Sequence, residues 1–154
     1  MATTTRTNEH PESILVSACL LGEPCRYDGA AMPCPEVIKL ADAHELVPIC
    51  PEQLGGLPTP RSPSEIRPDG RVIDRTGQDR TDAFIAGAHE ALRIAREHGC
   101  THAVLKSRSP SCGLHQVYDG TFSGTIIPGR GITATLLANE GIDLSDEIDI
   151  ARNL

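Results

Sequence analysis

Three short hydrophobic runs in this chain each lead into a cysteine, in a setting of Gly, Pro and small polar residues. The cysteines are Cys19, Cys50 and Cys112. Apolar runs of this length, bounded by turn residues, are typical of buried strands. If the three strands belong to one sheet, the thiols lie at the same edge of it. Three converging thiolates could hold a metal or a cluster and leave one coordination position open, as catalytic metal centres do.

Strands and helices alternate along the sequence. The pattern predicts strands at residues 14–21, 45–50, 101–106 and 142–144, and helices at residues 34–44, 82–98 and 132–139. This alternation predicts a single-domain α/β fold, Rossmann-like and layered, with a mostly parallel sheet and helices on both faces. Ligands of such sheets bind outside the carboxyl ends of the strands. All three cysteines fall at or just past those ends.

Two long segments rich in Gly and Pro, residues 51–77 and 107–131, lie between these elements. Long loops in a compact domain are usually functional. The folded domain is predicted to span residues 14–147. Residues 1–13 are polar and lack the apolar core of a signal peptide, so we expect a disordered leader there, and a tail at residues 148–154.

Composition narrows the class of function. The 154 residues carry a formal charge of −7, which disfavours binding to a nucleic acid polymer. No apolar stretch approaches the roughly 20 residues needed to cross a bilayer. We therefore expect a cytoplasmic chain without a membrane partner. Its six cysteines are then ligands, nucleophiles or core residues rather than disulfides.

The residues alone leave the role of the cysteines open. Thiolates are soft ligands suited to zinc and to iron–sulfur clusters, but three buried core cysteines would give the same pattern. Cys25 follows Cys19 closely enough to compete as a fourth ligand. Cys34 begins a predicted helix and has no assigned role. Cys100 is expected to be buried and inert.

Several polar residues accompany the cysteines. Glu52, two positions after Cys50, could act as a general base on water or could cap a turn, and Glu65 is the second choice. Nearby hydroxyls could donate to a small ligand or to cluster sulfides, or stabilise turns. Basic residues could offset the negative charge of a cluster or could be solvated charges of the loops. These residues are Ser17, Ser107, Ser109, Ser111, Arg61, Lys106 and Arg108. Tyr-Asp-Gly occurs at residues 27–29 and 118–120, where we favour turns over ligand contacts.

Taken together, five motifs resemble one family. They are Val16-Ser-Ala-Cys-Leu-Leu-Gly22, Cys25-Arg-Tyr-Asp-Gly29, Val47-Pro-Ile-Cys-Pro-Glu-Gln-Leu-Gly-Gly-Leu-Pro-Thr-Pro-Arg61, Leu105-Lys-Ser-Arg-Ser-Pro-Ser-Cys-Gly113 and Val117-Tyr-Asp-Gly-Thr-Phe-Ser-Gly124. Over about residues 14–147 the chain resembles the thiouracil desulfurase family, long catalogued as a domain of unknown function. The run from Cys50 to Arg61 is very specific.

The resemblance implies a [4Fe–4S] cluster and non-redox removal of sulfur from thiolated nucleobases such as 2- or 4-thiouracil. It implies that Cys19, Cys50 and Cys112 are the ligands and that Glu52 and Ser109 have catalytic acid and base roles. The candidates for substrate binding beside them are Ser17, Ser107, Ser111 and Arg61. The implied partner is a small thio-nucleobase, and the sequence leaves room for a sulfur acceptor.

Two other classes of function compete with this one. A zinc- or cluster-binding module without catalysis would need no open coordination position and no neighbouring Glu52. A sulfurtransferase carrying a persulfide on Cys25 or Cys112 would work without metal. The absorption spectrum of the anaerobically purified protein separates the metal-free sulfurtransferase and a zinc module from the cluster-binding functions, because a brown cluster is expected only for the latter.

Overall fold

In the computed structural model, which describes residues 12–153, the main sheet has four strands: β1 (Ser13–Ser17), β2 (Glu45–Ile49), β5 (His102–Leu105) and β8 (Asp143–Asp146). Their order in the sheet is β2-β1-β5-β8. All three pairings in this sheet are parallel. The predicted α/β class and the predicted parallel sheet are confirmed.

Helices cover both faces of this sheet. Residues 12–153 contain five α-helices: α1 (Pro35–Ile38), α2 (Pro51–Leu54), α3 (Thr81–Glu97), α4 (Ile132–Asn139) and α5 (Glu147–Arg152). Successive side chains of a strand point to opposite faces. Ala103 and Leu105 of β5 therefore join one buried cluster, with residues of α3 and α4. Val104 joins a second cluster, with Val37 of α1 and Ile150 of α5.

Two antiparallel hairpins lie where the sequence predicted only loops. Strand β3 (Ser64–Ile66) pairs with β4 (Val72–Asp74), and β6 (Gln116–Tyr118) pairs with β7 (Ile126–Pro128). Each strand has three residues, too few for an alternating pattern to stand out from neighbouring Gly and Pro. The hairpins contact each other through β3 and β6.

Three other elements differ in extent from the prediction. The strand predicted at residues 14–21 ends at Ser17, and the 3₁₀ helix Ala18–Leu21 follows it. The helix predicted at residues 34–44 is α1 followed by the 3₁₀ helix Lys39–Asp42. Helix α5 occupies most of the predicted tail, because Asp146 and Asp149 form a capping box that starts it.

The leader prediction falls largely on residues 1–11, which lie outside the described residues. Strand β1 already begins at Ser13. Between residues 12 and 153, no helix has the length and apolar character needed to span a membrane. All six cysteines are free thiols, in agreement with the expectation that they do not form disulfides.

Candidate metal centre

A cavity of about 410 Å³ opens at the carboxyl ends of β1, β2 and β5. Cys19, Cys50 and Cys112 all line it. The structure thus brings together the three thiols that the strand pattern placed at one edge of the sheet. Glu52 and Ser109, the residues predicted to handle protons, line the same cavity.

Each cysteine is positioned by the turn that follows its strand. Cys19 lies in the 3₁₀ helix after β1, and its carbonyl oxygen accepts hydrogen bonds from two amides further along the chain, at 3.3 and 3.0 Å. Cys50 is the N-cap residue of α2. The amide of Cys112 donates to Ser109 Oγ at 3.0 Å, which ties this cysteine into the Ser-Pro-Ser-Cys turn. Local hydrogen bonds therefore fix all three backbone positions.

The spacing of the thiols suits a cluster better than a single ion. A Zn–S bond of about 2.3 Å places tetrahedral thiolates about 3.8 Å apart. Among residues 12–153, no three cysteine sulfurs lie within 4.8 Å of one another. The trio that meets this limit is His115, Asp146 and Asp149, none of which lines the cavity. A cluster binds its ligands at separate iron corners, so more widely spaced thiols fit it.

Cys25 is a fourth thiol in the same cavity. Its hydrogen bond with Cys19 is the main cause that raises the pKa of Cys25 to about 11. The hydrogen bond with Cys25, followed by burial, raises the pKa of Cys50, and burial raises the pKa of Cys112 to about 11. Neutral thiols are weak nucleophiles, whereas a bound metal deprotonates a coordinating thiol. Cys25 is therefore a neighbour of the three candidate ligands and competes with them for a metal.

Glu52 enters the cavity from the first turn of α2. Arg61 Nε donates to Glu52 Oε1 at 2.8 Å, and the two side chains are only 7% and 14% exposed. The remaining nitrogens of Arg61 donate to Thr59 Oγ1 and to the carbonyl oxygens of Pro58 and Cys25. Four of the five N–H groups of Arg61 are thus engaged. Arg61 orients the carboxylate and leaves one N–H for other contacts.

Ser111 connects Glu52 to Ser109. Ser111 Oγ donates to Glu52 Oε2 at 3.2 Å and lies 2.9 Å from Ser109 Oγ. Because a hydroxyl has one proton, Ser109 donates to Ser111 whenever Ser111 donates to Glu52. This arrangement can move a proton between Ser109 and Glu52. The sequence placed Ser111 near the site but did not predict this link.

The other predicted serines have distinct partners. Ser17 Oγ accepts from the Lys106 amide at 2.9 Å and lies within hydrogen-bond reach of the Cys112 thiol. Ser107 donates through its amide and its hydroxyl to Glu147, at 2.8 Å each. Lys106 Nζ lies 3.2 Å from the same carboxylate. Ser107 and Lys106 therefore join the end of β5 to α5, whereas Ser17 lies at the cavity beside Cys112.

The remaining candidates are placed as follows. Arg108 lines the cavity in a left-handed conformation, with φ of 65°. Cys34 donates to Glu36 at 3.4 Å, and Cys100 is buried in the core beside α3, as predicted. Neither of these two thiols lines the cavity. They are therefore not candidates for ligands of the centre.

Aromatic residues line the cavity, and this was missed in the sequence. The chain has two Tyr and two Phe. Tyr27, Tyr118 and Phe122 line the cavity, while Phe84 is 1% exposed in the interior. The repeated Tyr-Asp-Gly motif was the available signal. Each of its Asp side chains accepts a hydrogen bond from an amide two residues later, as the turn prediction requires, and each of its Tyr residues lines the cavity.

Residues 14–149 match the model of a family described as 2-thiouracil desulfurase. The chain belongs to this family. It is 39% identical over 146 residues to YbbK of Bacillus subtilis (strain 168), a protein described as uncharacterized, and the match covers 89% of this chain and 97% of YbbK. A solved structure described as the [4Fe-4S]-dependent thiouracil desulfidase TudS is 40% identical. That match covers 92% of this chain and 94% of TudS, with a TM-score of 0.85.

Membership of the 2-thiouracil desulfurase family confirms the resemblance recognised in the motifs. The similarity to TudS confirms the predicted layered α/β architecture. The family match includes the three strand-end cysteines, Glu52 and the Ser-Pro-Ser-Cys turn. These residues are the ones that the fold gathers around one cavity.

Proposed function

We propose that this member of the 2-thiouracil desulfurase family removes sulfur from a thiolated nucleobase such as 2- or 4-thiouracil. One water and the C=S group give a C=O group and hydrogen sulfide, without any change of oxidation state. The observation that carries the proposal is the single cavity in which thiols from three strand ends lie beside Glu52 and Ser109.

Cys19, Cys50 and Cys112 are the proposed ligands of a [4Fe–4S] cluster, the group named in the description of TudS. The donor set fits such a cluster, because the ligands are soft thiols and the three sulfurs do not all lie within 4.8 Å of one another. When bound, the cluster supplies a Lewis-acidic iron that polarises the thiocarbonyl group. Arg61 and Lys106 place positive charge near these negative ligands.

Glu52 is the proposed general base. Its carboxylate accepts a proton from the water that attacks the thiocarbonyl carbon, while Arg61 at 2.8 Å keeps the carboxylate oriented. The proton on Glu52 Oε2 can pass to Ser111 at 3.2 Å, and from Ser111 to Ser109 at 2.9 Å. Ser109 then donates a proton to the nucleobase or to the departing sulfur. These three side chains therefore act as one unit.

Contact with the substrate is assigned most directly to Ser17. Its Oγ accepts from the Lys106 amide, and its own proton can be donated to the Cys112 thiolate or to a substrate in the cavity. Ser107 is bonded to Glu147, and Ser111 is bonded to Glu52. Arg61 retains one N–H group after its four hydrogen bonds. We therefore assign Ser107 and Arg61 mainly a structural role, which is to keep the residues of the site in position.

The sulfur product and the location of the enzyme are also part of the proposal. Hydrogen sulfide leaves either into solvent or to a sulfur acceptor protein. A stoichiometric yield of free sulfide without added protein would support the first route, and turnover that stalls until an acceptor is added would support the second. A cytoplasmic location, where thiols remain reduced, suits the six free cysteines.

The experiment is anaerobic conversion of 4-thiouracil by cluster-loaded protein in water labelled with ¹⁸O. The proposal predicts uracil carrying the label, an equal amount of sulfide, and no need for a reductant. The same chain without its cluster is the matched control and should be inactive. Equal activity of the metal-free protein would instead support the persulfide sulfurtransferase.

A second candidate function follows from Cys25. Its thiol lines the cavity together with Cys19 and Cys50, and its carbonyl oxygen accepts from Cys50 Sγ at 3.6 Å. If Cys25 were a fourth ligand, the centre would be closed and the chain would be a cluster-binding module without catalysis. A Cys25→Ala variant that keeps its cluster and its turnover excludes this alternative.

A further inference from the structure

Phe122 has an unusual backbone conformation at the tip of the β6–β7 hairpin. Its φ is 56°, a value that bulky residues rarely adopt. Such a conformation persists only where the surrounding structure holds it, and it is concentrated at functional sites. Here the holding group is Glu65, whose Oε1 accepts from the amides of Gly120 at 3.0 Å and Phe122 at 3.1 Å.

Close packing between the hairpins keeps this tip in place. A Cβ atom added to Gly120 would come within 2.9 Å of the carbonyl oxygen of Ile66 in β3. The tip is therefore seated directly against the strand that carries Glu65. Both the backbone contact and the carboxylate determine where Phe122 lies.

Apolar core packing does not explain Phe122. It belongs to neither of the two buried apolar clusters, and it lines the cavity while half-buried. Phe122 is the single apolar side chain among residues 119–125. The hydroxyls of its neighbours Thr121, Ser123 and Thr125 form hydrogen bonds with one another. The guanidinium of Arg75 lies 5.5 Å from the ring centroid, close enough to stabilise its position.

Aromatic rings at this cavity are suited to a flat ligand. Tyr27 and Tyr118 line it together with Phe122, and aromatic faces stack on nucleobases without requiring a particular base. We propose that Phe122 determines the specificity of the site by contacting the flat ring of the substrate, and that Glu65 is the positioning residue that holds Phe122 there. This inference rests on the proposed desulfuration and adds a selection for planar heterocycles.

This assignment gives Glu65 a role other than that of an alternative base. One of its oxygens is already engaged by two backbone amides. Glu65→Gln retains a carbonyl oxygen that can accept from both amides, whereas Glu65→Ala removes the acceptor. A positioning role therefore predicts a smaller effect for Gln than for Ala, and an effect on KM more than on kcat. A base would lose kcat in both variants.

The test compares cluster-loaded wild type with Phe122→Ala, Phe122→Leu and Phe122→Tyr. The readouts are kcat and KM for 4-thiouracil, and calorimetric binding of uracil and of dihydrouracil, whose ring is puckered. Ala and Leu should raise KM and weaken uracil binding by roughly 5- to 150-fold, the range for losing one base–aromatic stack. They should also remove the preference for uracil over dihydrouracil, and Tyr should retain both properties. Ile127→Ala is the matched control, since Ile127 is 41% exposed on β7 of the same hairpin.

Coupling to Glu65 is tested by the double variant Phe122→Ala with Glu65→Ala. If Glu65 acts through Phe122, the double variant should bind uracil no more weakly than Phe122→Ala alone. Additive losses would overturn the positioning role. An unchanged KM and an unchanged uracil preference in Phe122→Ala, with the fold checked by thermal unfolding, would overturn the specificity role. A loaded wild type that leaves 4-thiouracil unchanged would instead contradict the proposed function, while the binding comparison would still decide the role of Phe122.

Discussion

Ser111 donates a hydrogen bond to Glu52 across 59 residues of sequence, with 3.2 Å between Ser111 Oγ and Glu52 Oε2. Glu52 follows β2, and Ser111 lies in the turn after β5. Both strands flank β1 in the sheet, so their carboxyl ends meet at one edge. The contact joins the proposed base to the turn that carries Cys112.

Replacing Glu52 by Gln tests the base directly. Gln keeps the shape of the side chain and removes its basicity, so the cluster should remain. We expect kcat for 4-thiouracil to fall by about 100- to 10,000-fold, the usual contribution of a general base. Iron content and the visible spectrum check the cluster, and uracil formation checks turnover. Near-normal turnover with full cluster content would show that a group other than Glu52 is the base.

Ser111→Ala tests the proton link. It removes the hydroxyl between Glu52 and Ser109, together with the contact of that hydroxyl with Cys112 Sγ at 3.6 Å, and keeps all three proposed ligands. A hydrogen bond to a charged group contributes about 1.5–3 kcal/mol, so kcat should fall roughly 10- to 100-fold. Ser109→Ala should also keep the cluster and should slow turnover less than Glu52→Gln. A Ser111→Ala variant with wild-type kcat would contradict the link.

The convergence of the cysteines could be predicted because parallel strands share a carboxyl edge. Cys19, Cys50 and Cys112 needed no information beyond the positions of three strands. The long helix α3 could also be predicted from the sequence, since the spacing of its apolar residues and the following Gly99 mark its extent. The resemblance to the 2-thiouracil desulfurase family added the cluster and the reaction, which the spacing of the cysteines could not supply.

The other contacts of the site join residues that are far apart in the sequence, and no local sequence pattern predicts them. Ser111 meets Glu52 only after β1, β2 and β5 have assembled. Phe122 reaches the cavity because a distant carboxylate, Glu65, holds its turn. The strands of the hairpins that carry Glu65 and Phe122 are too short to show an alternation of apolar and polar residues. The sequence therefore predicted the three candidate ligands and several polar residues of the cavity, but not its aromatic residues.

Single cysteine variants should separate ligands from neighbours. Cys112→Ala should lose or damage the cluster, because it removes one of the three proposed ligands. Cys25→Ala should keep cluster and turnover, although this thiol lines the same cavity as Cys19 and Cys50. Iron and acid-labile sulfide per chain, measured without oxygen, check both expectations. Loss of the cluster from Cys25→Ala would show a closed four-thiolate centre.

Gly87→Ala should displace the segment that carries Glu52. Gly87 lies in α3, and a Cβ atom there would come within 1.9 Å of the carbonyl oxygen of Pro51. Overpacking of this kind destabilises by about 1–3 kcal/mol, and α2 must also move. We expect a lower unfolding midpoint together with a reduced kcat.

The matched control for that variant is Ala86→Gly. Ala86 is exposed on the same helix, and Gly there destabilises by about 1 kcal/mol through helix propensity alone. It should lower stability without changing kcat. If both variants change kcat alike, the effect of Gly87→Ala comes from general loss of stability and not from the position of Glu52.

Stability should depend on pH through Glu147. Burial opposes ionisation, but the Ser107 amide and Lys106 together lower the pKa of Glu147 below its ordinary value of 4.5. A lowered folded-state pKa gives stability that is present above the ordinary pKa and is lost as pH falls through the folded-state value. Glu147→Gln should therefore be less stable than wild type near neutral pH, and the difference should shrink in acid. The measurement is the midpoint of chemical denaturation at a series of pH values from neutral to acid. Glu97→Gln, at an exposed residue, is the control.

The most direct test of the three-thiolate centre is an anaerobic crystal structure of the cluster-loaded chain. The account predicts cluster density bound to Cys19, Cys50 and Cys112, with the fourth iron free of any protein ligand and facing Glu52. A cluster bound also by Cys25, or a cluster that lacks any one of the three predicted ligands, would contradict it.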